Sequence, residues 1–189
     1  HLQDYTQLEF YWAYRDYEDC MKLVERMYKS VVKNTVGGFT TAQNGKKIDW
    51  GKKWKTEGYV ELFEGENGMN PLSATRDELM KKARLLGLEP EAYAGKGRLI
   101  DLIFKKTVRP NLIQPCFLVD PPVEVEPLAK RSRKDPRRVE RFQIMAAGTE
   151  LGKGFSELND PLDQRARFEE QMRLRAAGDK EAQMIDEEF

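Results

Sequence analysis

Residues 139–161 contain the pattern that most restricts the fold of this chain. Two apolar runs, Val139 to Ala146 and Thr149 to Leu158, flank Gly148 and predict two neighbouring strands joined by a tight turn. Asp160 and Pro161 follow almost at once, and they predict a helix that starts with Asp160 as its N-cap. The chain is therefore expected to contain a β-hairpin that leads directly into a helix.

The second of these strands carries two carboxylates, Glu150 and Glu157, seven residues apart. Because seven is odd, an ideal strand would direct them to opposite faces. Gly152 and Gly154 lie between them and can host a β-bulge, which would shift the phase and bring both carboxylates to one side. Two convergent carboxylates are a common way to hold Mg²⁺ against nucleotide phosphates. The alternative, in which one glutamate faces solvent and the glycines only form a turn, is favoured by spacing alone.

The first residues of the chain form an aromatic run, from Tyr5 to Tyr14, that predicts a strand. Strand side chains alternate, so Tyr5, Glu9 and Tyr11 are expected to share one face. A carboxylate between tyrosines can bind an ammonium group through charge-assisted hydrogen bonds and cation–π contact. An exposed sheet face with an ordinary salt bridge is the alternative, and it is favoured when the segment is considered alone.

The middle of the chain predicts helices and a hairpin without a chemical motif. Apolar residues recur at helical spacing from about residue 16 to 34, and Asn44-Gly45 is a typical hairpin turn. Thr75 and Glu78 form a capping box for a short helix, and another helix is expected at about 98–106. We interpret residues 35–112 as an insertion of small helices and a hairpin.

Composition excludes several classes of protein. The chain of 189 residues has 32 basic and 32 acidic residues, so its formal net charge is zero and it is not a polycationic nucleic-acid binder. The basic loop from Lys130 to Arg138 is either an RNA contact or, by default, a solvated loop. His1 is the only histidine, which argues against Ser-His-Asp hydrolase chemistry.

The expected environment is a reducing cytoplasm. The two cysteines, Cys20 and Cys116, lack the spacing of a disulfide framework or a zinc site. Apolar stretches are too short to cross a bilayer, so we expect a globular domain without a membrane partner. The chain begins at His1 rather than at methionine, and both ends look like cuts through a longer protein.

Several segments, in the same order along the chain, resemble the lysyl-tRNA synthetases, which are class II aminoacyl-tRNA synthetases. His1–Glu9 is similar to the second half of motif 2, where a loop returns into a strand. Further similar segments are Pro122–Lys130, Phe155–Pro161, Asp163–Arg165, Arg167–Gln171, Ala176–Asp179 and Ile185–Phe189, the last two preceding motif 3. The resemblance is weakest in residues 35–112.

The resemblance implies a fold and a domain assignment. The fold would be α/β, an antiparallel sheet flanked by helices with a mostly helical insertion. Residues 1–189 would form part of the catalytic domain, with 35–112 as the insertion and 113–189 as core strands and helix. Motif 1, the motif 2 arginine, motif 3 and the anticodon-binding domain would lie outside this chain. The piece alone is therefore expected to be nearly inert, and it is assigned no catalytic residue.

The resemblance also implies residues that bind ATP, with Mg²⁺ as cofactor. Tyr5 would stack on adenine, and His1 would lie near the phosphates. Glu150 and Glu157 would bind ATP through Mg²⁺, which agrees with the carboxylate hypothesis above. We expect these two carboxylates to lie on the same face as Glu9, around one cleft.

A second set of residues is implied to bind the amino acid lysine. Glu9 would hold its α-amino group, Tyr11 would help to bind its ε-ammonium group, and Asn159 would bind its carboxylate. The implied reaction is in-line attack of the lysine carboxylate on the α-phosphate of ATP, followed by transfer to tRNA(Lys), and the whole protein is expected to be a homodimer. The implied reaction relies on positioning of the substrates and on charge neutralisation rather than on a protein nucleophile.

Three rival hypotheses remain open at this point. The first is an aspartyl or asparaginyl enzyme, because Leu2, Gln3 and Asp4 depart from the common loop of the lysine enzymes and those relatives can carry more similar residues there. The Pro127–Lys130 segment and the Ser156–Pro161 junction weigh against it. The second is a non-catalytic paralogue, and the third is a paralogue that attaches lysine to a protein.

Overall fold

The computed structural model describes residues 4–179, 182, 184 and 185. The strands are β1 (Thr40–Gln43), β2 (Lys46–Asp49), β3 (Lys55–Gly58), β4 (Cys116–Val119), β5 (Arg141–Ala146) and β6 (Thr149–Phe155). The α-helices are α1 (Tyr17–Val36), α2 (Tyr59–Asn67), α3 (Arg76–Leu85), α4 (Lys96–Thr107) and α5 (Pro161–Ala176). Arg109–Asn111 forms a short 3₁₀ helix after α4.

A four-stranded sheet in the order β3-β4-β5-β6 forms the centre of the fold, and β1 and β2 form a separate hairpin. The pairs β4–β5 and β5–β6 are antiparallel, whereas β3 pairs with β4 in parallel. The α/β fold predicted from the sequence is confirmed, including the strands β4, β5 and β6. The strand β3 was not predicted, because its sequence, Lys-Thr-Glu-Gly, has no apolar alternation and depends on pairing with β4. One strand of the sheet therefore comes from the 35–112 region.

The helix ends follow the local signals that the sequence carries. Asp16 caps α1 by accepting a hydrogen bond from the backbone N–H of Asp19 at 3.0 Å. Thr75 and Glu78 form the predicted capping box of α3, and Asp160 caps α5 ahead of Pro161. Such short-range signals and the helical spacing of apolar residues predicted α1, α3, α4 and α5. The helix α2 was not predicted; like α4, it begins at a glycine without a side-chain cap.

The two faces of the sheet are covered by different elements. On one face, Phe117, Phe142 and Ile144 pack against Val24 of α1 and against Trp54, and we call this the α1 face. On the other face, Leu118 and Met145 pack against a core drawn from α2, α3 and α4, and we call this the helical-region face. The helical region is thus anchored to one face of the sheet by shared apolar packing.

Both cysteines are free thiols, as predicted. Burial raises the pKa of Cys116 to about 11 and also raises the pKa of the half-buried Cys20. Among the helices of the described residues, none is long and apolar enough to cross a membrane.

The prediction of a strand at residues 5–14 is wrong. The described part of this segment has no regular structure, and the side chains of Tyr5 and Tyr11 are 75% and 82% exposed. A strand needs a hydrogen-bonding neighbour, and none of the described residues pairs with this segment. Aromatic composition alone therefore overestimated its strand content.

The predicted β-bulge is present in β6, but its position differs from the prediction. Met145 pairs with Glu150 and Ile144 pairs with Gly152, so Leu151 is the extra residue. The glycines have a different role, because Gly152 and Gly154 lie opposite Ile144 and Phe142 on the α1 face. A Cβ atom on Gly154 would lie 2.6 Å from Cζ of Phe142, so the phenyl ring occupies the space of a side chain.

We predict that Gly154→Ala lowers the free energy of unfolding by about 1–3 kcal/mol, the usual cost of overpacking a core. The ring of Phe142 cannot move aside easily, because it is buried edge-on against Phe117 with ring centroids 5.6 Å apart. Urea denaturation measures the change. The matched control is Gly65→Ala in α2, where a Cβ meets nothing within 4 Å and helix propensity predicts a small gain in stability. Equal effects of the two substitutions would contradict the packing argument.

Candidate functional site

Glu150 lies at a cavity of about 620 Å³ between the helical-region face of the sheet, α4 and α5. Its Oε2 atom accepts a hydrogen bond from Nε2 of Gln143 at 2.5 Å. Because Leu151 is an extra residue in the pairing, Gly152 lies on the α1 face. Lys153 therefore lies on the same face of the sheet as Glu150. Arg141 and Gln143 of β5 line the same cavity.

A buried carboxylate organises the positive charges of this cavity. Glu126 Oε2 lies 3.1 Å from Nε of Arg141 and 3.2 Å from Nζ of Lys153. The side chains of Glu126 and Arg141 are nearly inaccessible, whereas that of Lys153 is half exposed. One negative charge thus faces two positive charges, so this group carries a net positive charge beside Glu150. None of these three residues was predicted from the sequence as a site residue, because they come from separate segments, although Glu126 lies in the Pro122–Lys130 segment.

A second ionic network holds α5 against the end of the sheet. Asp163 accepts hydrogen bonds from Arg167 at 2.5 and 3.1 Å and from Arg131 at 2.9 and 3.1 Å. These hydrogen bonds, first those from Arg167 and then those from Arg131, lower the pKa of Asp163 to about 2. Arg167 also donates to the carbonyl oxygens of Pro127 and Ala129, at 3.0 and 2.6 Å. The buried guanidinium of Arg167 therefore fixes the path of the chain from 127 to 129.

The segment that Arg167 fixes extends the sheet beyond β6. Ala129 forms an isolated antiparallel bridge with Glu157, and the backbone N–H of Lys130 donates to the carbonyl of Ser156 at 2.9 Å. Ser156 is buried and its Oγ accepts from the N–H of Tyr17 at the start of α1. Since Ser156 faces α1, strand alternation directs the exposed side chain of Glu157 to the same face as Glu150.

Glu157 is associated electrostatically with the segment that carries Glu9 and Tyr11. The Tyr11 hydroxyl donates to Oε1 of Glu9 at 2.8 Å. This hydrogen bond and the charge of Glu9 raise the pKa of Tyr11, and the charge of Glu157 makes a smaller contribution in the same direction. The hydroxyl of Tyr5 similarly donates to Gln7 at 3.3 Å, so alternate side chains share a side although the backbone forms no strand. All of these side chains are exposed.

Glu150 and Glu157 share a face of the sheet but not the same cavity. Glu157 and Glu9 are not among the residues that line the cavity of Glu150. Within the described residues, no group of three or more His, Cys, Asp or Glu side chains is arranged to hold a metal ion.

The remaining predicted residues are less informative. Asn159 is exposed on the loop between Glu157 and the N-cap of α5. His1, predicted to lie near the phosphates, is outside the described residues, as are Leu2 and Gln3.

Comparison with known proteins covers the whole chain. A family model described as class II tRNA synthetases (D, K and N) matches residues 1–189. The chain is 42% identical over 190 residues to a lysine–tRNA ligase of Roseiflexus castenholzii and to one of Moorella thermoacetica. It is 40% identical over 189 residues to a lysine–tRNA ligase of Thermotoga maritima. Each match includes all of this chain but only 37–39% of the relative, so the chain spans about two fifths of their length.

We predict that Asp163→Asn lowers the free energy of unfolding at pH 7 by about 1–3 kcal/mol, because two arginines lose the negative charge and one of the two acceptor oxygens of their partner. The pKa of Asp163 is lower in the folded state, so its ion pairs stabilise the protein fully above about pH 4. That contribution declines as the pH falls from about 4 towards about 2. Urea midpoints measured from pH 7 down to pH 3 should therefore converge for the wild type and the variant. Asp77→Asn, at an exposed aspartate, is the control. A constant difference at every pH would contradict the assignment.

Proposed function

The chain belongs to the class II tRNA synthetases of the aspartate, lysine and asparagine group, and we propose from this premise that its parent protein is a lysine–tRNA ligase. The parent would activate lysine with ATP and transfer it to tRNA(Lys). The supporting observation is the match of the whole chain to relatives of that name at about 40% identity. The family resemblance further leads us to propose a cytoplasmic homodimer.

On the ATP side, we propose Glu150 as the carboxylate that contacts Mg²⁺-bound ATP. Mg²⁺ in nucleotide sites is commonly held by one or two carboxylates together with the substrate phosphates, so a single protein carboxylate suffices. The oxygen of Glu150 and the side-chain oxygen of its neighbour Gln143 are both hard ligands of the required type. The bound ion would neutralise phosphate charge. Lys153 lines the same cavity and is half exposed, so we propose it for contact with a phosphate group of the substrate. Tyr5 and His1 remain our proposals for adenine stacking and for the phosphates.

On the lysine side, we propose Glu9 and Tyr11 for the ammonium groups and Asn159 for the carboxylate. Glu157 lies on the same face as Glu150 but outside the cavity that Glu150 lines. We therefore propose that Glu157 contacts a substrate ammonium group rather than the same ion. Two acidic side chains, Glu9 and Glu157, would attract an amino acid with two ammonium groups, such as lysine.

The same charges discriminate against two competing substrates. Aspartate would bring a side-chain carboxylate towards Glu9 and Glu157, and like charges in a partly dehydrated site repel one another. Asparagine has an α-ammonium group but no second cation, so it would leave one of the two carboxylates without a partner. The charges therefore favour lysine over the aspartate and asparagine of this group.

In the proposed reaction the lysine carboxylate attacks the α-phosphate of ATP, forming lysyl-adenylate and releasing pyrophosphate. The residues of this chain would bind and orient the two substrates rather than form a covalent intermediate. Orientation of two bound reactants is sufficient for a large rate increase. The ionic network of Asp163 and Arg167 would contribute indirectly by holding the Ala129–Glu157 bridge in place.

We predict that the full-length parent protein catalyses ATP–pyrophosphate exchange with lysine, but not with aspartate or asparagine. Glu150→Gln should lower kcat by about 100-fold, comparable to the loss of one charged transition-state contact. Glu66→Gln, at an exposed glutamate of α2, is the control and should leave exchange unchanged. A folded full-length protein without exchange for any of the three amino acids would overturn the proposed function.

We further predict that Glu157→Gln raises KM for lysine at least tenfold and leaves KM for ATP unchanged, because the variant loses an ammonium contact. Steady-state exchange kinetics with each substrate varied in turn separate the two constants. A change confined to KM for ATP would instead assign Glu157 to the nucleotide, as the sequence alone suggested.

A further inference from the structure

Residues 46–55 concentrate positive charge in a chain that is neutral as a whole. Five of these ten residues are lysine and one is aspartate. The side chains of all five lysines are exposed. We call these lysines the lysine surface: Lys46, Lys47, Lys52, Lys53 and Lys55.

The lysine surface rests on a rigid support. Trp50 and Trp54 alternate with the lysines and are buried, and Trp54 packs against Phe117 of the sheet with ring centroids 5.1 Å apart. Gln114 ties the β1–β2 hairpin to the chain before β4, accepting from the N–H of Asp49 at 3.0 Å and donating to the carbonyl of Lys47 at 2.8 Å. The backbone under the lysines is therefore held in place without using their charges.

Most of these charges are not neutralised by the described residues. Lys52 pairs with Asp49 at 3.5 Å, whereas Lys46, Lys47, Lys53 and Lys55 form no ion pair with any residue that the structure describes. The basic loop from Lys130 to Arg138 is neutralised to a greater extent. Three of its six cations, Arg131, Arg137 and Arg138, pair with Asp163, Asp135 and Glu61.

The lysine surface leads to the cavity that contains Glu150. Lys47, Lys52, Lys53 and Lys55 line a cleft of about 680 Å³. A smaller cleft at the hairpin tip is lined by Lys46, Arg109, Lys105 and Gly148, the last being in the β5–β6 turn two residues before Glu150. Lys105 also lines the cavity of Glu150 itself. Basic side chains are thus found from the hairpin to the rim of the candidate site, although Lys105 at that rim pairs with Asp101 at 2.6 Å.

We propose that the lysine surface binds backbone phosphates of the tRNA and directs the RNA towards the cavity of Glu150. This inference rests on the proposed function, which requires an RNA to reach the activated amino acid. Lysine side chains on a fixed backbone suit phosphate contacts, which position a nucleic acid without reading its sequence. Exposed, unneutralised cations are also those that release counterions from RNA on binding.

The test is the binding of tRNA(Lys) transcript to the full-length protein at several salt concentrations. The variant K46Q/K47Q/K53Q/K55Q should raise Kd about tenfold or more near 0.1 M salt, and it should flatten the plot of log K against log salt concentration. Each lost phosphate contact should lower that slope by about 0.7–0.9. ATP–pyrophosphate exchange with lysine should be unchanged, because that step does not require tRNA.

The double variant K81Q/K106Q is the matched control for K53Q/K55Q, because Lys81 and Lys106 are also exposed but lie outside the lysine surface and its clefts. Only K53Q/K55Q should weaken tRNA binding. Wild-type affinity and salt dependence in the quadruple variant, with exchange intact, would overturn the proposal. If the wild-type protein showed no ATP–pyrophosphate exchange with lysine, the proposed function itself would be contradicted. Failure of the tRNA proposal can therefore be distinguished from failure of the proposed function.

Discussion

The pairing of β5 with β6 is the constraint on which the rest of the site depends. One extra residue, Leu151, sets the phase of β6 so that Glu150 and Lys153 lie on the same face of the sheet. On the opposite face, Phe142 occupies the space of a side chain at Gly154, and Ile144 closely approaches Gly152. The register of the β5–β6 pair thus determines both which side chains form the polar face of this hairpin and which form its apolar face. A shift of the register by one residue would exchange them.

Buried ion pairs then connect this hairpin to distant parts of the chain. Glu126 reaches Arg141 and Lys153 on the sheet, and Asp163 joins Arg167 to Arg131. Guanidinium groups are well suited to such positions, because their planar donors satisfy carboxylate and carbonyl oxygens together. Many of the cations near the cavity are therefore engaged in ion pairs that hold the elements of the fold together. The lysine surface differs because its charges remain exposed.

Local chemistry explains which elements were predictable. Caps such as Asp16, Thr75 and Asp160 act within a few residues of themselves, so α1, α3 and α5 could be recognised from short windows. The strand β3 and the segment from Tyr5 to Tyr14 failed for the opposite reason. A strand forms only when it pairs with another strand. The local sequence of β3 does not show that it pairs with β4, and the local sequence of Tyr5–Tyr14 does not show that this segment has no partner among the described residues.

The sequence by itself determined the family resemblance, the α/β class, the capped helices and the presence of carboxylates at 9, 150 and 157. Only the tertiary structure decided how those carboxylates are grouped. Glu150 shares a cavity with Gln143 and Lys153, whereas Glu157 and Glu9 are not among the residues that line it. The physical reason is that spacing along a chain gives the phase of side chains within one element. Which side chains meet depends on how the elements pair and pack.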